Sequence, residues 1–148
     1  MKNILVPIDF EGPASYLLLG EAYKIAEKFN SKVWLIHVVT PDPEFVGYDV
    51  GPQYIRDARA SELKKEHQLL KGYTDELHKK NIDAEGLLIF GSTVEMIQKE
   101  AVKLKIDLII MGHHNHSAFY NALYGSTDLQ VMENLNIPLL MVPMDWGK

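Results

Sequence analysis

Five short apolar runs rich in branched side chains recur along the chain, and between them the apolar spacing changes to every third or fourth residue. That alternation limits the fold more than any single motif does. The runs at residues 4–8, 32–39, 84–90, 107–111 and 138–142 are apolar almost throughout and read as strands buried on both faces. Between them, Ala14, Leu18, Ala22, Ile25, Ala26 and Phe29 keep one helical face apolar after Pro13, a residue suited to a first helical turn. Residues 53–80 carry the stripe Ile55, Leu63, Leu70, Tyr73 and Leu77 among mixed charges, which predicts a long helix with one solvated face, broken near Gly72. Val94, Ile97, Ala101 and Leu104 predict a third helix ending near Lys105, and residues 126–134 a fourth. Parallel neighbours need crossover helices, so the expected fold is α/β: a three-layer, open, parallel five-stranded sheet with helices on both faces.

At 148 residues the chain is one domain's length, and no linker, repeat or low-complexity tract divides it. Fifteen Lys plus Arg against twenty Asp plus Glu give a net charge of −5, which argues against capture of nucleic acid by bulk charge. The absence of cysteine excludes a disulfide scaffold, a thiolate metal site and a cysteine nucleophile. The apolar start breaks at Asp9 and Glu11, short of a secretory core, and the run at 137–144 holds two prolines and falls well below the ~20 residues of a membrane helix. A soluble, cytoplasmic protein is expected.

In open sheets of this kind, ligands bind beyond the carboxyl ends of the strands, where strand order reverses. The chain ends facing that edge are Asp9, Val38-Val39, Gly91 and Met111-Gly112. After the fourth strand come His113, His114 and Asn115, and then Gly125-Ser126 at the start of the last helix. Backbone amides at a glycine turn and a helix N-terminus favour an anion, phosphate above all. Ser126 either donates to such an oxygen or caps the helix.

The sequence resembles the universal stress protein family along nearly its whole length. The resemblance is carried by Pro7-Ile8-Asp9, by His37-Val38, by the run from Asp107 to Gly112, by the Gly-x2-Gly-x9-Gly-Ser pattern and by the closing run from Pro138 to Pro143. It implies a Rossmann-like or flavodoxin-like sheet, a homodimer through the last strand and, in one branch, bound ATP or another adenine nucleotide. By that resemblance Asp9, after Pro7, faces the adenine, and Val38 lines its pocket. Met111 and Gly112 approach the ribose and phosphates, as do His114 and Asn115 in the loop, and Gly125, Ser126 and Thr127 hold the phosphates. The chain departs from the pattern at Asn115, which stands for the second glycine, and at Asp128, which stands for a small hydroxyl residue. Asn tolerates a left-handed backbone, whereas Asp128 occupies the positive field of a helix start that a phosphate would use.

Between Lys105 and Lys148 there is no Lys or Arg, so the phosphate loop has no permanent cation of its own. Nucleotide binding there rests on amides, hydroxyls, His113, His114 or His116, and a divalent ion such as Mg2+. The histidines are read as solvated or phosphate-facing rather than as a metal cluster. Phe45 and Tyr48 either close over a base or anchor their loop, and His67 and His78 read as surface residues. An apolar last strand followed by Trp146 is a hazard if left bare, which a two-fold dimer answers. No phosphate-binding Gly-x4-Gly-Lys motif, dinucleotide Gly-x-Gly-x2-Gly turn or Gly-x-Ser-x-Gly elbow is present, and the acidic pair of a receiver domain is missing. Three readings follow: a regulatory adenine-nucleotide binder, a nucleotide-independent dimer acting through protein partners, and a slow ATP hydrolase using Asp9 or Asp128 as base. The first is preferred.

Overall fold

The structure, a computed structural model, describes residues 1–10, 14–39, 53–113 and 135–143. The expected fourth helix, the loop at 112–124 beyond His113 and the loop at 40–52 lie outside them. Strand β1 (Asn3–Pro7) leads to helix α1 (Ala14–Phe29), β2 (Lys32–Val39), α2 (Gln53–Lys79), β3 (Ala84–Phe90), α3 (Thr93–Lys103), β4 (Leu108–His113) and β5 (Leu139–Pro143). The five strands form one sheet in the order β3-β2-β1-β4-β5, and every pairing is parallel.

The pleat sorts side chains into two cores. Ile4 and Val6 of β1, Ile8 just beyond it, Val33 and Leu35 of β2 and Ile110 of β4 pack with Leu18, Leu19, Ala22 and Ala26 of α1 and Leu70, Tyr73 and Leu77 of α2. Leu5, Ile36, Ile109 and Met111 face the other way, against Val94, Ile97 and Ala101 of α3. Ile4, Leu5 and Val6 are fully buried, which is the expected result for a central parallel strand covered on both faces.

Helix α2 runs unbroken for 27 residues, so the break expected at Gly72 does not occur. A Cβ at position 72 would meet nothing within 4 Å, and glycine's helix penalty of about 1 kcal/mol is outweighed by the buried stripe on the opposite side. Leu70 lies over Gly86 of β3, where an added Cβ would stand 2.8 Å from the leucine Cγ. His78 is exposed, as expected, yet its Nε2 donates to the Ala84 carbonyl at 2.8 Å and fastens the end of α2 to the start of β3. At about 1.5 Å per residue α2 spans about 40 Å, against about 23 Å for the seven residues of β3. Its N-terminal turns therefore run past the carboxyl edge of the sheet.

The amino edge is tied by Asp107, one of the residues that carried the family resemblance. Its Oδ2 accepts the backbone N–H of Lys2 at 2.7 Å and of Asn3 at 3.0 Å, while its own N–H donates to the Asn3 carbonyl at 2.8 Å. This aspartate is therefore a clasp between the starts of β1 and β4, on the side of the sheet away from the candidate site. The bonds from Asn3 and Lys2 hold its carboxyl below the ordinary value, aided by the positive chain terminus and the Lys2 side chain. A lowered carboxyl pKa stabilises the folded state wherever the group is ionised, and that contribution disappears as pH falls below about 4. Asp107→Asn is expected to flatten the acid limb of the melting temperature between about pH 4 and pH 2, measured by circular dichroism against the parent protein.

Candidate functional site

From β1 the chain steps outward to β2 and β3, then returns across the sheet to β4 and β5, so strand order reverses between β1 and β4. Splayed connections at such a reversal leave a crevice above the carboxyl ends. β1 leaves the sheet there through Pro7, paired with Ile36, and the ladder continues one bond further as the Ile8 N–H donates to the Ile36 carbonyl at 2.8 Å. Asp9, half-buried, follows at once.

Val38 and Met111 flank that exit on the α3 side. Both belong to the α3 core; Val38 is half-buried and Met111 is 1% exposed. β4 extends past its expected end at Met111 because its ladder with β5 continues, aligning Gly112 with Val142 and His113 with Pro143. The half-buried Gly112 thus sits on a fixed strand rather than in a loop. The structure brings Pro7, Asp9, Val38, Met111 and Gly112 to one edge across three adjacent strands. His114, Asn115, Gly125, Ser126, Thr127 and Asp128 lie outside the described residues, as do Phe45 and Tyr48.

β3 ends at the same edge in Gly91, whose N–H donates to the Val39 carbonyl at 3.1 Å. Its φ of +146° suits glycine, and an added Cβ would stand 2.7 Å from the Met96 Cγ. This turn aims α3 back under the sheet.

The α1/α2 side of the exit carries a group of residues that sequence reasoning did not assemble. His37 Nδ1 lies 2.7 Å from the Ile8 carbonyl oxygen. A carbonyl only accepts, so Nδ1 carries the proton and donates it. The ring's Nε2 points toward Glu66 Oε2 of α2, 3.8 Å away. Phe10 covers the imidazole with ring centroids 4.4 Å apart, Tyr73 stacks on Phe10 at 6.0 Å, and Tyr16 meets Tyr73 edge-on at 5.5 Å. The result is an aromatic row from α1 through α2 to the exit of β1. A signal for it exists in the sequence: Glu66 falls in register with Leu63, Leu70, Tyr73 and Leu77, a carboxylate on an otherwise apolar stripe.

Among the described residues no group of three His, Asp or Glu is placed to hold a metal ion, and no helix is long and apolar enough to cross a membrane. The edge carries the half-buried Val38 over the buried Met111, the half-buried carboxylate of Asp9 and a strand-borne glycine.

Comparison with known proteins gives a consistent result. Residues 1–143 match the universal stress protein family. The universal stress protein A homolog of Haemophilus ducreyi is 32% identical, over 97% of this chain and 96% of its own length. A universal stress protein solved in complex with cAMP superposes with a TM-score of 0.67 at 19% identity, covering 97% of each chain. A universal stress protein family protein from Arabidopsis thaliana, solved with AMP bound, gives 0.66 at 15% identity, covering 99% of this chain and 94% of its own. At such identities the two structures speak to the fold alone.

Gly91→Ala is expected to lower stability by about 1–3 kcal/mol, because the backbone strain and the Met96 contact act together. Urea unfolding checks it.

Proposed function

Because the chain belongs to the universal stress protein family, we propose that it is a cytoplasmic stress-response protein that binds an adenine nucleotide in a regulatory, non-catalytic role. The observation that carries this reading is the convergence of Asp9, Val38, Met111 and Gly112 at the reversal between β1 and β4. An apolar wall on the α3 side suits the face of a purine, and a neighbouring carboxylate suits its exocyclic amino group, a donor. In this reading Pro7 sets the exit of β1 and Asp9 reads the base. Val38 and Met111 line it, and Gly112 lets the backbone approach the ribose. His114, Asn115, Gly125, Ser126 and Thr127 complete the phosphate side. Two structural neighbours named with cAMP and AMP support an adenine ligand.

The charge distribution refines the choice of nucleotide. With no Lys or Arg from Ile106 to Gly147, added phosphates gain little from the protein itself, so Mg2+ is needed before ATP outcompetes AMP. A homodimer through β5 completes the proposal, supported by an edge strand whose Leu139 is 42% exposed.

Isothermal titration with ATP, ADP and AMP, each with and without Mg2+, tests the reading. The expected outcome is sub-millimolar binding of at least one nucleotide, with AMP and metal-free ATP of similar affinity. Asp9→Ala is expected to weaken AMP by about tenfold, the loss of one hydrogen bond to a charged group. No binding of any of the three refutes the proposal and favours the nucleotide-independent reading. For the dimer, Leu139→Lys is expected to shift the sedimentation coefficient from dimer to monomer.

A further inference from the structure

We propose that His37 is a positioning residue for the turn that carries Asp9, and that a proton shared between its Nε2 and the Glu66 carboxylate sets how firmly that turn holds an adenine nucleotide. The inference rests on the nucleotide reading above and adds its regulation. Both backbone polar groups of Ile8 are held: its N–H donates to the Ile36 carbonyl, and its carbonyl accepts from His37 Nδ1. Asp9 is the next residue, so the imidazole fixes the exit from which that carboxylate departs.

Glu66 stands opposite the other nitrogen of the imidazole. Its Oε2 is buried and has no hydrogen-bond partner, and His37 Nε2 lies 3.8 Å from it. That gap is too long for a hydrogen bond and short enough for an ion pair. With Nδ1 already committed as a donor, an Nε2 without a proton turns a lone pair toward a carboxylate oxygen that water does not reach. One proton between them removes the conflict, since the imidazolium then donates to Ile8 through Nδ1 and faces the Glu66 carboxylate as an ion pair.

Among the described residues few other titratable groups face the pair. Glu66 faces the ring from α2, with exposed Glu62 one turn earlier and exposed His67 beside it. From the exit of β1 come the Phe10 ring and, one residue beyond the bonded carbonyl, Asp9. β3 sets uncharged Leu88 opposite His37 in the ladder, and the α1 contribution is Tyr16, two rings away through Tyr73 and Phe10. The proton thus ties α2, β2 and the β1 exit together, and its loss loosens all three at the point where the nucleotide is read. By linkage, bound nucleotide favours the protonated pair to the same degree that the proton favours nucleotide.

Long-range proton–nitrogen NMR of the full-length protein, together with AMP titrations at about pH 5.5, 6.5 and 8, where imidazoles change charge, provides the test. The expected result is His37 protonated on Nδ1 throughout, with Nε2 gaining its proton as pH falls. AMP affinity is expected to weaken by about fivefold more from pH 5.5 to pH 8 in the parent than in Glu66→Gln, whose amide keeps the shape of the side chain and carries no charge. The AMP phosphate titrates identically in both proteins and cancels. An unprotonated Nδ1, or equal pH profiles in parent and variant, overturns the inference while leaving nucleotide binding intact. Failure of the parent to bind AMP at every pH overturns the nucleotide reading and this inference with it.

Discussion

Everything in this structure depends on β1 lying between β2 and β4 with both faces covered. Ile4, Leu5 and Val6 lose all contact with water, alternating between the α1/α2 core and the α3 core. At roughly 1.5–3 kcal/mol per fully buried aliphatic side chain, three adjacent residues of this kind strongly favour one register. A slip of one position would exchange the two faces of the strand. Because the central strand is the first in the chain, later strands add on either side of it, and the reversal of strand order follows from that addition.

The two edges of the sheet have been put to different uses. At the amino edge Asp107 takes two backbone N–H groups into one oxygen, closing the start of the sheet with an exposed ionic clasp. At the carboxyl edge Asp9, Val38, Met111 and Gly112 converge across three adjacent strands. On the α1/α2 side His37 takes up the Ile8 carbonyl and presents its remaining nitrogen to Glu66. A parallel sheet has no reason of its own to place a carboxylate there. Glu66 arrives because it interrupts the apolar stripe of α2, in register with Leu63 on one side and Leu70 on the other.

Much of this was legible beforehand. The alternation of apolar runs and helical spacing specified five parallel strands and the helices on both faces, and the strand at Ala84–Phe90 has the expected bounds. Gly72 misled, because helix propensity at an exposed position is a small term beside the burial of Leu70, Tyr73 and Leu77. The end of β4 was also read too early, since the glycine at 112 suggested a loop where the ladder to β5 holds an extended strand. Asp9, Val38 and Met111 lie at the carboxyl ends of their strands as the periodicity predicts, because strand ends follow from local pattern. The group around His37 was not legible, because a hydrogen bond to Ile8 joins residues far apart in the chain.

Sequence alone determined the fold class, which strand ends lie at the carboxyl edge, the family and the absence of basic residues in the 106–147 stretch, since each depends on local periodicity, composition or a motif. Tertiary structure decided which side of the sheet each strand end faces and that Asp107 serves the edge remote from the site. It also decided that His37, Glu66, Phe10 and Tyr73 form one group. Those outcomes depend on the order in which strands pair and on how far a helix overhangs its sheet, and both are set by packing between segments rather than within them.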